Sequence, residues 1–250
     1  MYGIVILKII TPALNYNQDE QLQFSVLILL VFGFFIYHFV SNSIKNHYSS
    51  QKKINSEYGS LYGFCLQRIL GFLTYGVIPF AVIYILYSFP ISKYGFNVLN
   101  IGSSLIWIVL LGIIITVANY YLAGKTENLK NYPQIRIKKW TPRITILNSL
   151  TWILYLFSYE FMFRGMLLFS FYYAYGILPA VAVNCLLYSL VHIPKGKKET
   201  LGAIPLGIIL SIIPLNTGSF LTAFVFHVIM ALSNDHFAIK AHPEMSFQKK

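Results

Sequence analysis

Residues 101–123 read IGSSLIWIVLLGIIITVANYYLA, an unbroken run without a single Asp, Glu, Lys or Arg. A helix rising 1.5 Å per residue needs roughly 20 residues to cross the hydrocarbon of a bilayer. This stretch has that length and nothing in it that prefers water. The same reading applies on both sides of it. Residues 23–42 (QFSVLILLVFGFFIYHFVSN), 69–92, 144–159, 165–191, 200–219 and 220–233 are dominated by apolar side chains and hold no Asp, Glu, Lys or Arg. Over the whole chain of 250 residues, 56% are hydrophobic and 11% charged, against about 25% charged in ordinary soluble domains. Very buried soluble helices would still carry polar stripes. The sequence therefore predicts an all-α, polytopic transmembrane helical bundle forming one domain over 1–250, with spans near 22–42, 68–90, 101–123, 145–169, 175–194, 200–216 and 218–237. Residues 1–20 are an interfacial segment or tail; counted as a span, they would raise the total from seven to eight.

The 19 Lys and Arg against 8 Asp and Glu give a formal charge of +11. In a soluble protein that balance would point to nucleic acid. Here its placement explains it. Lys45, Lys52 and Lys53 follow the first span, six basic residues lie in 125–143, Lys195, Lys197 and Lys198 follow the fifth span, and Lys240, Lys249 and Lys250 end the chain. With seven spans all of these fall on one side. Basic loops mark the cytoplasmic side and attract anionic headgroups. The expected partner of the charge is the bilayer surface, and no nucleic acid is implied. Cys65 and Cys185 are read as isolated buried thiols, since no CxxC pair or disulfide framework is present.

Three polar sites interrupt the apolar background. Glu160 and Arg164 are four residues apart in span 4, on one helix face, in the orientation that favours a pair. Charged groups at membrane depth face the bundle interior and usually mark function, although a pair that only pins span 4 to its neighbours is a competing reading. Tyr188 and His192 share a face at the end of span 5, where an interfacial role at the headgroups is also open. His227 lies deeper, in span 7, either in chemistry or bonded to a neighbouring carbonyl. Asn234 follows it by seven residues, and Asp235 and His236 are expected at the surface. A Glu and an imidazole can pass a proton from water, and a second His can donate toward an oxyanion. Glu160, His192 and His227 could also ligate one zinc ion, although no HExxH pattern is present.

YEFMFRGMLL (159–168), YSLVHIP (188–194) and GAIPLGIILSIIPLNTGSFLTAFVFH (202–227) together resemble the core of the CPBP family of intramembrane proteases. That family includes the CAAX prenyl endopeptidases and bacterial bacteriocin-processing or self-immunity proteins. Its marks are Glu-Glu-x-x-x-Arg, then Phe-x-x-x-His, then His-x-x-x-Asn, and the likeness covers about 145–235. The resemblance implies a helical membrane core in a bacterial inner membrane, with the carboxyl terminus and basic loops cytoplasmic. It implies hydrolysis of a peptide bond in a membrane-associated or lipidated peptide. Carried over, Glu160 is the second Glu, Arg164 the Arg, Tyr188 the aromatic, His192 the partner of the activating Glu, and His227 the oxyanion donor. Two positions depart from the pattern. The first Glu, which the family uses to activate water, is Tyr159, and the final Asn is Ala231. In the catalytic reading Glu160 acts as base with His192 as its partner and His227 as oxyanion donor; Arg164, Tyr159, Tyr188 and Asn234 support them. Glu160 could take over the base role if span 4 is locally distorted, and Asn234 could replace the lost Asn through a water. No cofactor is expected, with one zinc ion as the alternative. The competing function is a non-catalytic family member that binds a peptide or acts in immunity. A small-solute transporter is disfavoured by the lack of paired inverted halves.

Overall fold

The computed structural model describes residues 18–50, 56–87, 90–98 and 100–248. Within them, seven helices are long and apolar enough to cross a membrane. In lipid no water satisfies backbone N–H and C=O groups, so the apolar runs close their hydrogen bonds internally as helices. Helix α1 spans Gln18–Ser50. The second span joins α2 (Ser56–Phe72) to α3 (Ile78–Tyr87) through a π-helical turn at Leu73–Val77. The third is α4 (Ile101–Leu122), and a short α5 (Thr126–Asn131) follows it. The fourth joins α6 (Pro142–Glu160) to α7 (Leu168–Tyr175) through a second π-helical stretch, Phe161–Leu167. Then come α8 (Ile177–Leu190), α9 (Lys197–Thr217) and α10 (Phe220–Ala241). The expected tail or eighth span in residues 1–20 lies almost wholly outside the described residues, as do Lys52, Lys53, Lys249 and Lys250.

The seven spans and their order agree with the sequence reading, and the ends shift for local reasons. Span 2 begins at Ser56 rather than near 68, which puts Arg68 three turns inside the helix. Span 4 starts at Pro142, where Pro occupies the first helical position and the Thr141 side chain accepts from the Ile144 amide, a capped start that needs no donor from Pro. Between α9 and α10 the break is Gly218, at φ 71°, a left-handed helix end that glycine adopts without penalty. Pro205 and Pro214 stay inside α9.

The bundle has a basic end and an opposite end. At the opposite end the loop 90–98 folds inward. The Gly95 carbonyl accepts from the Phe220 amide at 3.1 Å, Ser219 Oγ donates to the Asn97 carbonyl at 2.6 Å, and Asn100 donates to the Thr217 carbonyl at 3.1 Å. This loop caps the start of α10. Gly95 has φ 70°, and a Cβ there would stand 2.3 Å from the Phe169 ring and 3.0 Å from the Phe220 nitrogen. Gly95→Ala is expected to cost about 2–5 kcal/mol, combining left-handed strain and overpacking. Thermal unfolding in detergent, followed by circular dichroism, checks this.

At the basic end the segment 132–140 plugs the bundle. Ile135, Ile137 and Trp140 are buried with Leu61, Cys65, Ile144 and Ile239. A two-residue strand β1 (Lys139–Trp140) pairs in parallel with β2 (Ser246–Phe247) and ties down the tail. Cys65 and Cys185 are free and buried, as expected.

Candidate functional site

Glu160 is the last α-helical residue of α6, and the π-helical stretch begins at the next position. A π-helical insertion shifts the register of everything after it and recurs at functional sites. Its backbone is held by Asn184 of α8, which is fully buried, donates to the Phe163 carbonyl and accepts from Ser211 Oγ of α9 at 3.2 Å. Two neighbouring spans thus brace the stretch that carries Arg164. Asn184 gave no signal in the sequence, because a lone Asn in an apolar helix has no motif.

Glu160 and Arg164 are both wholly buried. Arg164 Nε lies 3.4 Å from Glu160 Oε2, and the guanidinium sits 4.2 Å from the centre of the Tyr188 ring. A cation on an aromatic face is stabilised by the ring quadrupole. None of the three guanidinium nitrogens completes a hydrogen bond of ordinary geometry. The other oxygen of Glu160, Oε1, accepts from His227 Nδ1 at 2.6 Å. The carboxylate is therefore shared between span 4 and span 7. This decides its partner: Glu160 meets His227, and the expected Glu160–His192 pair is not formed.

His192 lies beyond the end of α8, and its Nδ1 is 2.7 Å from the Tyr188 carbonyl. A carbonyl only accepts, so Nδ1 carries the proton and Nε2 keeps its lone pair. The ring stacks obliquely on Tyr188, with centres 4.6 Å apart. Tyr159 packs against the Tyr188 ring at 6.0 Å and the His227 ring at 6.2 Å. Its hydroxyl is buried without a hydrogen bond. The local distortion that would let Glu160 replace Tyr159 does exist, but it follows Glu160 and leaves the carboxylate directed to His227. Ala231, half-buried one turn after His227, contributes no donor. Asn234 is half-buried and forms no hydrogen bond with these residues. Among the described residues no three His, Cys, Asp or Glu side chains gather as a metal set.

Asp235 corrects a second expectation. Expected at the surface, it is buried, with Oδ2 accepting from Trp152 Nε1 at 2.9 Å and Asn148 Nδ2 at 3.2 Å. Asn148 in turn accepts from Arg68 Nη1 at 2.9 Å, and Arg68 also donates to Thr151 and Gln134. The helices continue past the predicted span ends, so groups near those ends are covered by the plug at 132–140. Tyr132 of that segment points back toward Glu199, Asp235 and Tyr188; burial first, then the nearby negative charge, pushes its phenol up.

Residues 140–233 match the protein-family model described as type II CAAX prenyl endopeptidase Rce1-like. The matched segment is similar to that family over span 4 to most of span 7. It holds Glu160, Arg164, Tyr188, His192 and His227. No curated protein and no solved structure matches the chain. The first three spans of the bundle lie outside the Rce1-like segment.

Proposed function

We propose that the protein is a membrane-embedded endopeptidase of the CAAX type, hydrolysing a peptide bond in a membrane-associated substrate. The observation that carries this reading is the 2.6 Å contact of His227 Nδ1 with Glu160 Oε1. A base oriented by a carboxylate is the arrangement that activates a nucleophile in hydrolases. With Nδ1–H given to Glu160, the Nε2 lone pair of His227 takes a proton from water as oxygen attacks the carbonyl carbon. Glu160 then offsets the charge gained by the ring, and the proton passes from His227 to the leaving amine. Arg164 balances Glu160 throughout. His192, whose Nδ1 is held by the Tyr188 carbonyl, offers Nε2 as a second acceptor. The basic end faces the cytoplasm by the distribution of Lys and Arg.

A lipidated substrate is supported by a cavity of about 180 Å³ between spans 2 and 4, lined by Phe72, Val77, Phe80, Phe157, Ser158 and Phe161 among others. Its lining is almost wholly apolar, as an apolar guest requires, and Phe157 and Phe161 flank Glu160 in the chain.

The test is cleavage of prenylated and unmodified peptides by the purified protein in lipid, read by mass spectrometry. His227→Ala is expected to lower the rate by about 100-fold or more, the usual contribution of a general base, with a smaller loss in His192→Ala. Cleavage indifferent to His227 would remove the mechanism. The Tyr159 and Ala231 positions favour a second reading, a peptide binder that does not cut. Retained peptide binding without cleavage by the wild type would select it.

A further inference from the structure

Two polar rungs between α10 and α6 match in spacing. His227 meets Glu160, and Asp235 meets Trp152. The partners are eight residues apart on both helices, which run in opposite directions, so each rung lies about 12 Å of helix rise from the other. A slip of one residue would turn either helix by about 100° and break both rungs. The lower rung is the stronger anchor: Asp235 accepts from two side chains of α6, and Asn148 passes the connection to Arg68 of α2 at 2.9 Å. Asp235 and Arg68 are each about 97–98% buried, where an acceptor and a charge hold their partners without competition from water.

We infer that Asp235 is a positioning residue: it sets the register and rotation of α10 so that His227 Nδ1 reaches Glu160. The inference rests on the Glu160–His227 pair and not on hydrolysis, so its test reads the pair directly. A proton held between an imidazole nitrogen and a carboxylate oxygen 2.6 Å apart resonates well downfield of ordinary histidine N–H protons. Histidine-labelled protein in detergent is expected to show this resonance, with its assignment fixed by its disappearance in His227→Gln. Asp235→Ala is expected to abolish it in folded protein. Asp235→Asn, which keeps an acceptor for Trp152 and Asn148, is expected to retain it. That rescue separates positioning from a general loss of stability, which both variants share to some degree. Persistence of the resonance in folded Asp235→Ala, or its loss in folded Asp235→Asn, overturns the inference. Should Asp235→Ala not fold, Trp152→Phe removes one rung bond only and is expected to shift and broaden the resonance; an unchanged line overturns the inference. A wild type without the resonance refutes the Glu160–His227 pair itself, and the positioning role with it. Peptide cleavage that fails while the resonance responds as expected refutes the hydrolase reading alone.

Discussion

Glu160→Ala is expected to destabilise the protein by about 3–5 kcal/mol, the cost of leaving one member of a buried ion pair uncompensated. Arg164 is wholly buried, and its charge is met by Glu160 at 3.4 Å and by the Tyr188 ring. Without the carboxylate, the ring face alone would carry a guanidinium whose nitrogens already lack hydrogen bonds. Replacing both residues, as Glu160→Met with Arg164→Met, is expected to restore most of the stability, since apolar side chains of similar volume do as well as a buried pair. The double variant would still be inactive, because His227 loses the group that orients it. Unfolding curves in mixed detergent for the two single variants and the double variant check the stability. The peptide-cleavage assay on the same samples separates folding from chemistry. A Glu160→Ala protein as stable as the wild type would mean that Arg164 finds another partner inside the bundle.

Ala231→Asn is expected to raise the cleavage rate by about 100-fold, with most of the gain in kcat. Ala231 is one turn beyond His227 on α10 and half-buried, so an Asn there projects its donor from the same side of the helix as His227. One positioned oxyanion donor is worth about 100- to 1,000-fold in hydrolases, and the low end applies where the surrounding wall was not shaped for it. The gain should require His227: the variant combined with His227→Ala should show none. Measured kcat and KM for one good peptide decide the matter. An unchanged rate would place oxyanion stabilisation on another group, with the unpaired N–H groups of Arg164 the first to test.

Seven spans were legible in the residues because crossing a bilayer is a local demand. Each span needs only its own length of apolar chain, and a run such as 101–123 meets it whatever its neighbours do. The identities of the polar side chains at depth were legible for the same reason: Glu160, Arg164, His192 and His227 stand out against an apolar background, and their spacing carried the resemblance. Which of them meet was not legible. Glu160 could turn toward His192 or His227 with equal ease on a helical wheel; the rotation of α10 against α6, and the π-helical stretch after Glu160, direct it to His227. Asp235 was read as a surface residue because distance from a span's centre is all that sequence reports. It is buried because α10 lies against α6, where Trp152 and Asn148 both donate to it. The sequence by itself determined that this is a membrane bundle with a polar centre. The tertiary structure alone decided how that centre is paired, because a hydrogen bond between spans depends on the relative rotation and register of two helices that neither helix encodes alone.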